Sequence, residues 1–181
     1  MNTIEALRTR RTIRRFDSKE VSRQVLDSIF EAVRFAPSWK NSRTFRFTVI
    51  TDAKVKSHIA EEATRTPSNN KNIINNAPCV IIQSAVNGKA GYTADGEFDT
   101  VKGDGYTMYD AGIAADELCL AAHEYGLGSV IMGLVDYDRI AQIISLPEDE
   151  TVVTAIAVGY PESIPNPPPK YEVAEYVRYI D

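Results

Sequence analysis

Apolar positions along this chain recur with two different periods, and each change of period marks a new element. Ile4 and Leu7, three residues apart, predict a short amphipathic helix over residues 3–9. Val25, Leu26, Ile29, Phe30 and Val33 recur at helical spacing behind Ser22, a residue type that caps helix N-termini. A second helix with one buried face follows, and Pro37 stops it, because the residue before a proline avoids the helical region. The period then becomes two. Phe45, Phe47 and Val49 alternate with Arg46 and Thr48, which predicts a strand over 45–51. Val55, Ile59 and Ala63 predict a helix over 54–63, residues 68–72 (Ser-Asn-Asn-Lys-Asn) read as turn-rich, and 79–82 reads as a short buried strand.

The second half opens on an irregular insertion over 84–107, punctuated by Gly88, Gly91, Gly96, Gly103 and Gly105. A structureless stretch of that length in a compact domain is more often functional than idle. Residues 109–125 are helical and apolar on nearly every side, with Ala111, Gly112, Ala114, Ala115, Leu118, Cys119 and Ala122, so a central buried helix is expected. Its small residues allow close approach of a helix or a ligand. Gly126 ends it. Ile140, Ile143 and Ile144 predict a helix over 137–146, and 151–158 reads as a strand. Asn166-Pro167-Pro168-Pro169 is an extended spacer. The tail 171–181 carries Val173, Tyr176, Val177, Tyr179 and Ile180 and needs a surface to pack on; after a stiff spacer, a partner subunit is the attractive candidate. Alternating helices and strands make an α/β or α+β fold, with 1–181 as one domain and 162–181 as its C-terminal extension.

Composition narrows the partners. A net charge of -5 over 181 residues argues against general nucleic-acid binding. No run approaches the ~20 apolar residues of a membrane span. The N-terminus lacks the apolar core of a signal peptide, and both cysteines, Cys79 and Cys119, lie in apolar runs, so a soluble cytoplasmic protein is expected. One local exception stands out: five of the 20 Lys and Arg residues fall within 8–16, Arg-Thr-Arg-Arg-Thr-Ile-Arg-Arg-Phe. Guanidinium forks suit phosphate, and a solvated helix end accounts for the same run. Likewise, turn chemistry alone accounts for the polar loop Pro37-Ser38-Trp39-Lys40-Asn41-Ser42, and a helix cap with a strand accounts for Gly126-Leu127-Gly128-Ser129. Two isolated histidines, His58 and His123, make no zinc site; His58 reads as a surface residue and His123 as a cation complementing a helix C-terminus. There is no Gly-x-Ser-x-Gly elbow. If the chain is an enzyme, a cofactor carries its chemistry.

Taken together, these stretches resemble the nitroreductase family of FMN enzymes. Arg10-Arg11-Thr12-Ile13-Arg14 is similar to that family's Arg-[His/Arg]-[Ser/Thr]-x-[Arg/Lys] opening. Residues 37–42 resemble its Pro-Ser-x-x-Asn-Ser loop. Asn70 before Ala77-Pro78, the alanine-rich helix running into Gly126-Leu127-Gly128-Ser129 and Gly133, Gly159-Tyr160-Pro161, and Lys170 after a proline-rich spacer follow in the family's order. Each motif alone is weak; their joint order is specific. Arg43-Thr44-Phe45, Ile73 and Glu172 depart from the family's usual Gln-Pro-Trp, lysine and second basic residue.

The resemblance implies an α+β, three-layer α/β/α fold whose mixed, largely antiparallel sheet is flanked by helices, with a C-terminal arm packing on the partner subunit. It implies that Arg10, Arg11, Thr12 and Arg14 bind the FMN phosphate and ribityl chain, helped by Lys170. Pro37, Ser38, Trp39 and Asn41 would reach the flavin from the other subunit of a homodimer. Asn70 would bond the ring edge, and backbone groups of Ile131, Met132 and Gly133 would lie near N5. The implied activity is ping-pong hydride transfer from NADH or NADPH through FMN to a small acceptor such as a nitroaromatic or quinone, with no catalytic side chain and no metal. Other flavin chemistry on the same scaffold (a dehydrogenase, dehalogenase or flavin-fragmenting oxygenase) and a non-enzymatic flavin-binding module are the alternatives.

Overall fold

The computed structural model describes residues 2–180. Four strands form one sheet in the order β1-β2-β4-β3: β1 (Phe45–Ile50), β2 (Cys79–Val86), β3 (Gly128–Met132) and β4 (Glu150–Gly159). Every neighbouring pair is antiparallel, with Phe47 opposite Gln83, Ile81 opposite Ile156 and Val130 opposite Ala157. The one parallel pairing among the described residues is an isolated bridge from Thr12 to Ser129 at the free edge of β3.

Side-chain alternation sends successive residues of the central strands to opposite faces. Val80 and Ile82 of β2, with Ala155 and Ala157 of β4, face α3 (Ala53–Glu62), α4 (Asn70–Asn76) and α6 (Tyr137–Ile144). Cys79 and Ile81, with Ile156 and Val158, face α2 (Arg23–Val33) and the 20-residue α5 (Gly105–Glu124). The result is the expected three-layer α/β/α arrangement. Side-chain caps fix three helix starts, of which the sequence predicts the one at Ser22. Asn2 accepts the Glu5 N–H at 2.9 Å to start α1 (Thr3–Thr9), Ser22 accepts that of Val25 at 3.3 Å, and Asp52 accepts those of Lys54 and Val55.

The structure adds three things to the sequence pattern. The turn-rich stretch runs into a helix, α4, whose four asparagines are poor helix formers; burial of Ile73 and Ile74 in the core overrides that preference. β2 continues to Val86 and α5 begins at Gly105, so the irregular insertion shortens to 87–104. The tail forms a single turn, α7 (Val173–Tyr176), and its aromatic residues lie open: Tyr171, Tyr176 and Tyr179 are each more than two-thirds exposed.

Candidate cofactor site

The basic run is held against the sheet, not splayed into solvent. α1 ends at Arg10, and the chain then extends along β3, with the Ile13 N–H donating to the Ser129 carbonyl at 2.9 Å. Extended backbone alternates its side chains. Ile13 points inward and is buried, and a Cβ on Gly128 would overlap its side chain, so glycine is what lets the segment lie this close. Arg10, Thr12 and Arg14 point the other way. With Asp116, Cys119, Ser129 and Ile131 they line a cleft of about 220 Å³.

Arg11 falls on the opposite phase. Its Nη1 donates to the Arg8 and Arg10 carbonyls at 2.7 and 2.8 Å, so it caps the C-terminal end of α1 and does not line the cleft. The cleft holds one carboxylate, Asp116, beside its two guanidinium groups. Cys119 is buried, and burial pushes its thiol above the ordinary range, so it stays protonated. Cys79, deep in the core, is pushed up to about 11 by the same cause. Both are free and buried, as the sequence suggests.

His123 departs from its expected role as a helix-end cation. The Thr9 hydroxyl gives its single proton to the Glu5 carbonyl at 2.7 Å, so it accepts from His123 Nε2–H at 2.8 Å. Burial first, and the nearby Arg10 charge second, hold the imidazole below its usual range. It is a neutral strut between α1 and α5 beside the basic cleft.

The end of β3 and the residues after it continue this edge. Ile131 is 50% exposed on the cleft side, whereas Met132 turns into the core and its carbonyl accepts the Thr154 hydroxyl at 3.1 Å. Asn70, at the start of α4, reaches across with Nδ2 to the Leu134 carbonyl at 3.1 Å. Its Oδ1 has no protein partner among the described residues. The Gly133 carbonyl accepts the Tyr137 hydroxyl at 2.8 Å.

The loop 37–43 stands apart, against the N-terminal part of α5. Lys40, Asn41 and Arg43 all adopt left-handed backbone, with φ of 44°, 56° and 51°. The Trp39 ring packs on Tyr106 with centroids 4.0 Å apart, Lys40 pairs with Asp99 of the insertion, and the Arg43 N–H donates to Ser38 Oγ at 2.9 Å. Asp110 of α5 lies beneath the loop. It is six residues from Asp116 of the cleft, roughly 9 Å along the helix. Lys170 lies exposed on the C-terminal extension and does not line the cleft. The structure thus brings Arg10, Thr12, Arg14 and Ile131 into one cleft along the free edge of β3 and places Asn70 and Gly133 beyond the strand's C-terminal end, with Met132 turned into the core; Arg11, Lys170 and the 37–41 group lie elsewhere.

A family model described as the nitroreductase family matches residues 7–160. The chain belongs to the nitroreductase family. The match takes in every predicted site residue except Lys170, which lies with the tail beyond it. A Methanothermobacter thermautotrophicus protein provisionally named NADH dehydrogenase/NAD(P)H nitroreductase is 29% identical over 170 residues, covering 92% of this chain and 81% of that one. An iodotyrosine deiodinase of Thermotoga neapolitana is 25% identical over 176 residues, covering 94% and 93%. The solved structure of an FMN-dependent nitroreductase from Clostridium difficile superposes with a TM-score of 0.75 at 27% identity, covering 99% of both chains. Within this nitroreductase-family site, sequence reasoning missed Asp110, Asp116, Cys119 and Ser129. Asp110 had one available signal: it is an acid directly before the small, apolar run Ala111-Gly112-Ile113-Ala114-Ala115.

Proposed function

We propose that this chain is an FMN-dependent NAD(P)H oxidoreductase acting on a small organic acceptor. The observation that carries the proposal is the cleft of Arg10, Thr12 and Arg14 along the free edge of β3 in a nitroreductase-family chain. Two guanidinium groups and two hydroxyls, those of Thr12 and Ser129, form the donor set that a phosphate monoester needs. The same cleft, at about 220 Å³, is below the size range of pockets that enclose a whole drug-sized ligand. It suits a phosphate and part of a chain, so the flat end of the cofactor must find its walls elsewhere.

Those walls come from this chain's own surface and a second copy of it. Ile131, Met132 and Gly133 offer an open strand end, and the unpartnered Asn70 Oδ1 is placed to accept an N–H from a ring edge. Ile4 and Leu7 of α1 and Met108 and Tyr109 of α5 are each more than half exposed, and we take them as an apolar face for a second copy to cover. A homodimer covering that face brings the partner's 37–41 loop to the flavin, and the apolar C-terminal extension wraps the partner. FMN, when bound, supplies reversible two-electron transfer between NAD(P)H and the acceptor. The protein's part is to hold the phosphate with Arg10 and Arg14, orient the ring through Asn70, and supply positive charge for an anionic reduced cofactor. No helix among the described residues is long and apolar enough to cross a membrane, and with two free buried thiols we place the protein in the cytoplasm.

The Thermotoga neapolitana match, nearly full-length in both chains, favours reductive dehalogenation as the second reading. Steady-state NADH and NADPH oxidation with a nitroaromatic, a quinone and iodotyrosine as acceptors separates the two. Turnover well above free FMN is expected with a nitroaromatic or quinone, turnover confined to iodotyrosine selects the dehalogenase, and none with any acceptor refutes both.

A further inference from the structure

The 37–43 loop has an anchor that the cofactor reading does not require. Asp110 is 2% exposed and is the one buried carboxylate among the described residues. Its Oδ2 accepts the Trp39 N–H at 2.8 Å and stands 3.5 Å from the Ser42 hydroxyl. No lysine or arginine pairs with it among the described residues. Of the loop cations, Lys40 is turned to Asp99. A carboxylate buried with only loop donors as partners is costly unless those bonds hold.

The loop, for its part, has little else to fix its shape. Three non-glycine residues within four positions sit in left-handed backbone, a conformation that disfavours side chains and persists only where the surroundings enforce it. Ser38 Oγ, accepting the Arg43 N–H, closes the loop on itself but does not attach it to the body of the protein. Attachment comes from α5, through the Tyr106 ring against Trp39 and, one turn on, through the Asp110 carboxylate, and from the insertion through the Lys40–Asp99 ion pair at the surface.

We propose that Asp110 is a positioning residue, whose buried carboxylate fixes the 37–43 loop in the left-handed shape that presents Ser38 and Asn41 to the cofactor of the partner subunit. The orientation toward FMN rests on the proposed function; the anchoring does not. Asp110 touches no reacting atom and acts through the Trp39 N–H. Either oxygen of a carboxylate can accept that proton, and so can the amide oxygen of asparagine, whereas alanine and leucine cannot.

Trp39 is the chain's only tryptophan, so its fluorescence reports the loop directly in the flavin-free full chain. Acrylamide quenching of Trp39 and the FMN dissociation constant are measured for wild type, Asp110→Asn, Asp110→Ala and Asp110→Leu. In Asp110→Ala, quenching should rise about twofold or more and FMN binding should weaken about tenfold or more, the scale of losing a hydrogen bond to a buried charge. Asp110→Asn should stay within about threefold of wild type in affinity and keep Trp39 shielded. Asp110→Leu fills the site without an acceptor and should behave like Asp110→Ala, which keeps the test valid if the alanine variant does not fold. Unchanged quenching in both apolar variants overturns the anchor, as does equal impairment of Asp110→Asn and Asp110→Leu. If wild type itself binds no FMN, the cofactor reading fails while the Trp39 measurement still decides the anchor.

Discussion

The 10–14 segment and the 37–43 loop are two stretches of this chain rich in donors for a ligand, and they are held in opposite ways. The first is extended and registered on β3, with Ile13 in the core and Gly128 beneath it; three of its side chains face one cleft because the backbone alternates. The second is coiled through left-handed residues and tied down by one carboxylate, one ring and one ion pair. Regular backbone pairing spreads positional control over many small interactions. An irregular loop concentrates it in a few, and so is the part of the site that single substitutions can move.

That contrast predicts where damage is greatest. Arg10→Ala with Arg14→Ala removes both guanidinium groups from the cleft, and FMN affinity should fall by about 100-fold or more, at ~1.5–3 kcal/mol for each charge-assisted contact; a fluorescence titration with FMN measures it. Arg11→Ala is the control, because Arg11 faces away, and affinity should change by less than about threefold. Gly128→Ala should push the 10–14 segment off β3 and cost roughly 1–3 kcal/mol, read as a fall in thermal midpoint of about 2–4 °C per kcal/mol.

The pH dependences are smaller and opposite in sign for the two regions. Burial raises Asp110 above the ordinary carboxylate range, against the opposing pull of its bonds from Trp39 and Ser42. A raised folded value means that stability from this group is present at low pH and lost as pH rises through it. Asp110→Asn should therefore match or exceed wild type in thermal midpoint at neutral pH, with the difference shrinking on acidification. His123 is lowered, by burial and then Arg10, so its contribution is present above its ordinary value and lost as pH falls below it. Phosphate bound at Arg10 screens that repulsion, and the His123 titration followed by NMR should move upward on adding FMN.

The same contrast explains what the amino-acid pattern could disclose. Ser22, Gly126 and the period-two run of β1 act locally, so the helices and strand they set were legible residue by residue. The cleft was half legible. Arg10, Thr12 and Arg14 could be named, but the exclusion of Arg11 depends on which phase of the extended segment faces β3, and only the Thr12–Ser129 bridge sets that. α4 was hidden because tertiary burial of Ile73 and Ile74 outweighs its asparagines. Asp110, Asp116 and Cys119 were hidden because an all-round apolar helix gives no sign of which side meets a loop and which a cleft.

The most direct measurement of the central claim is the visible spectrum of the purified protein, with FMN added if it emerges colourless, before and after NADH or NADPH under anaerobic conditions. The account predicts a bound flavin whose absorption bands bleach on adding one of the two nucleotides. A protein that neither carries nor binds FMN, or whose bound flavin stays oxidised with both nucleotides, contradicts it.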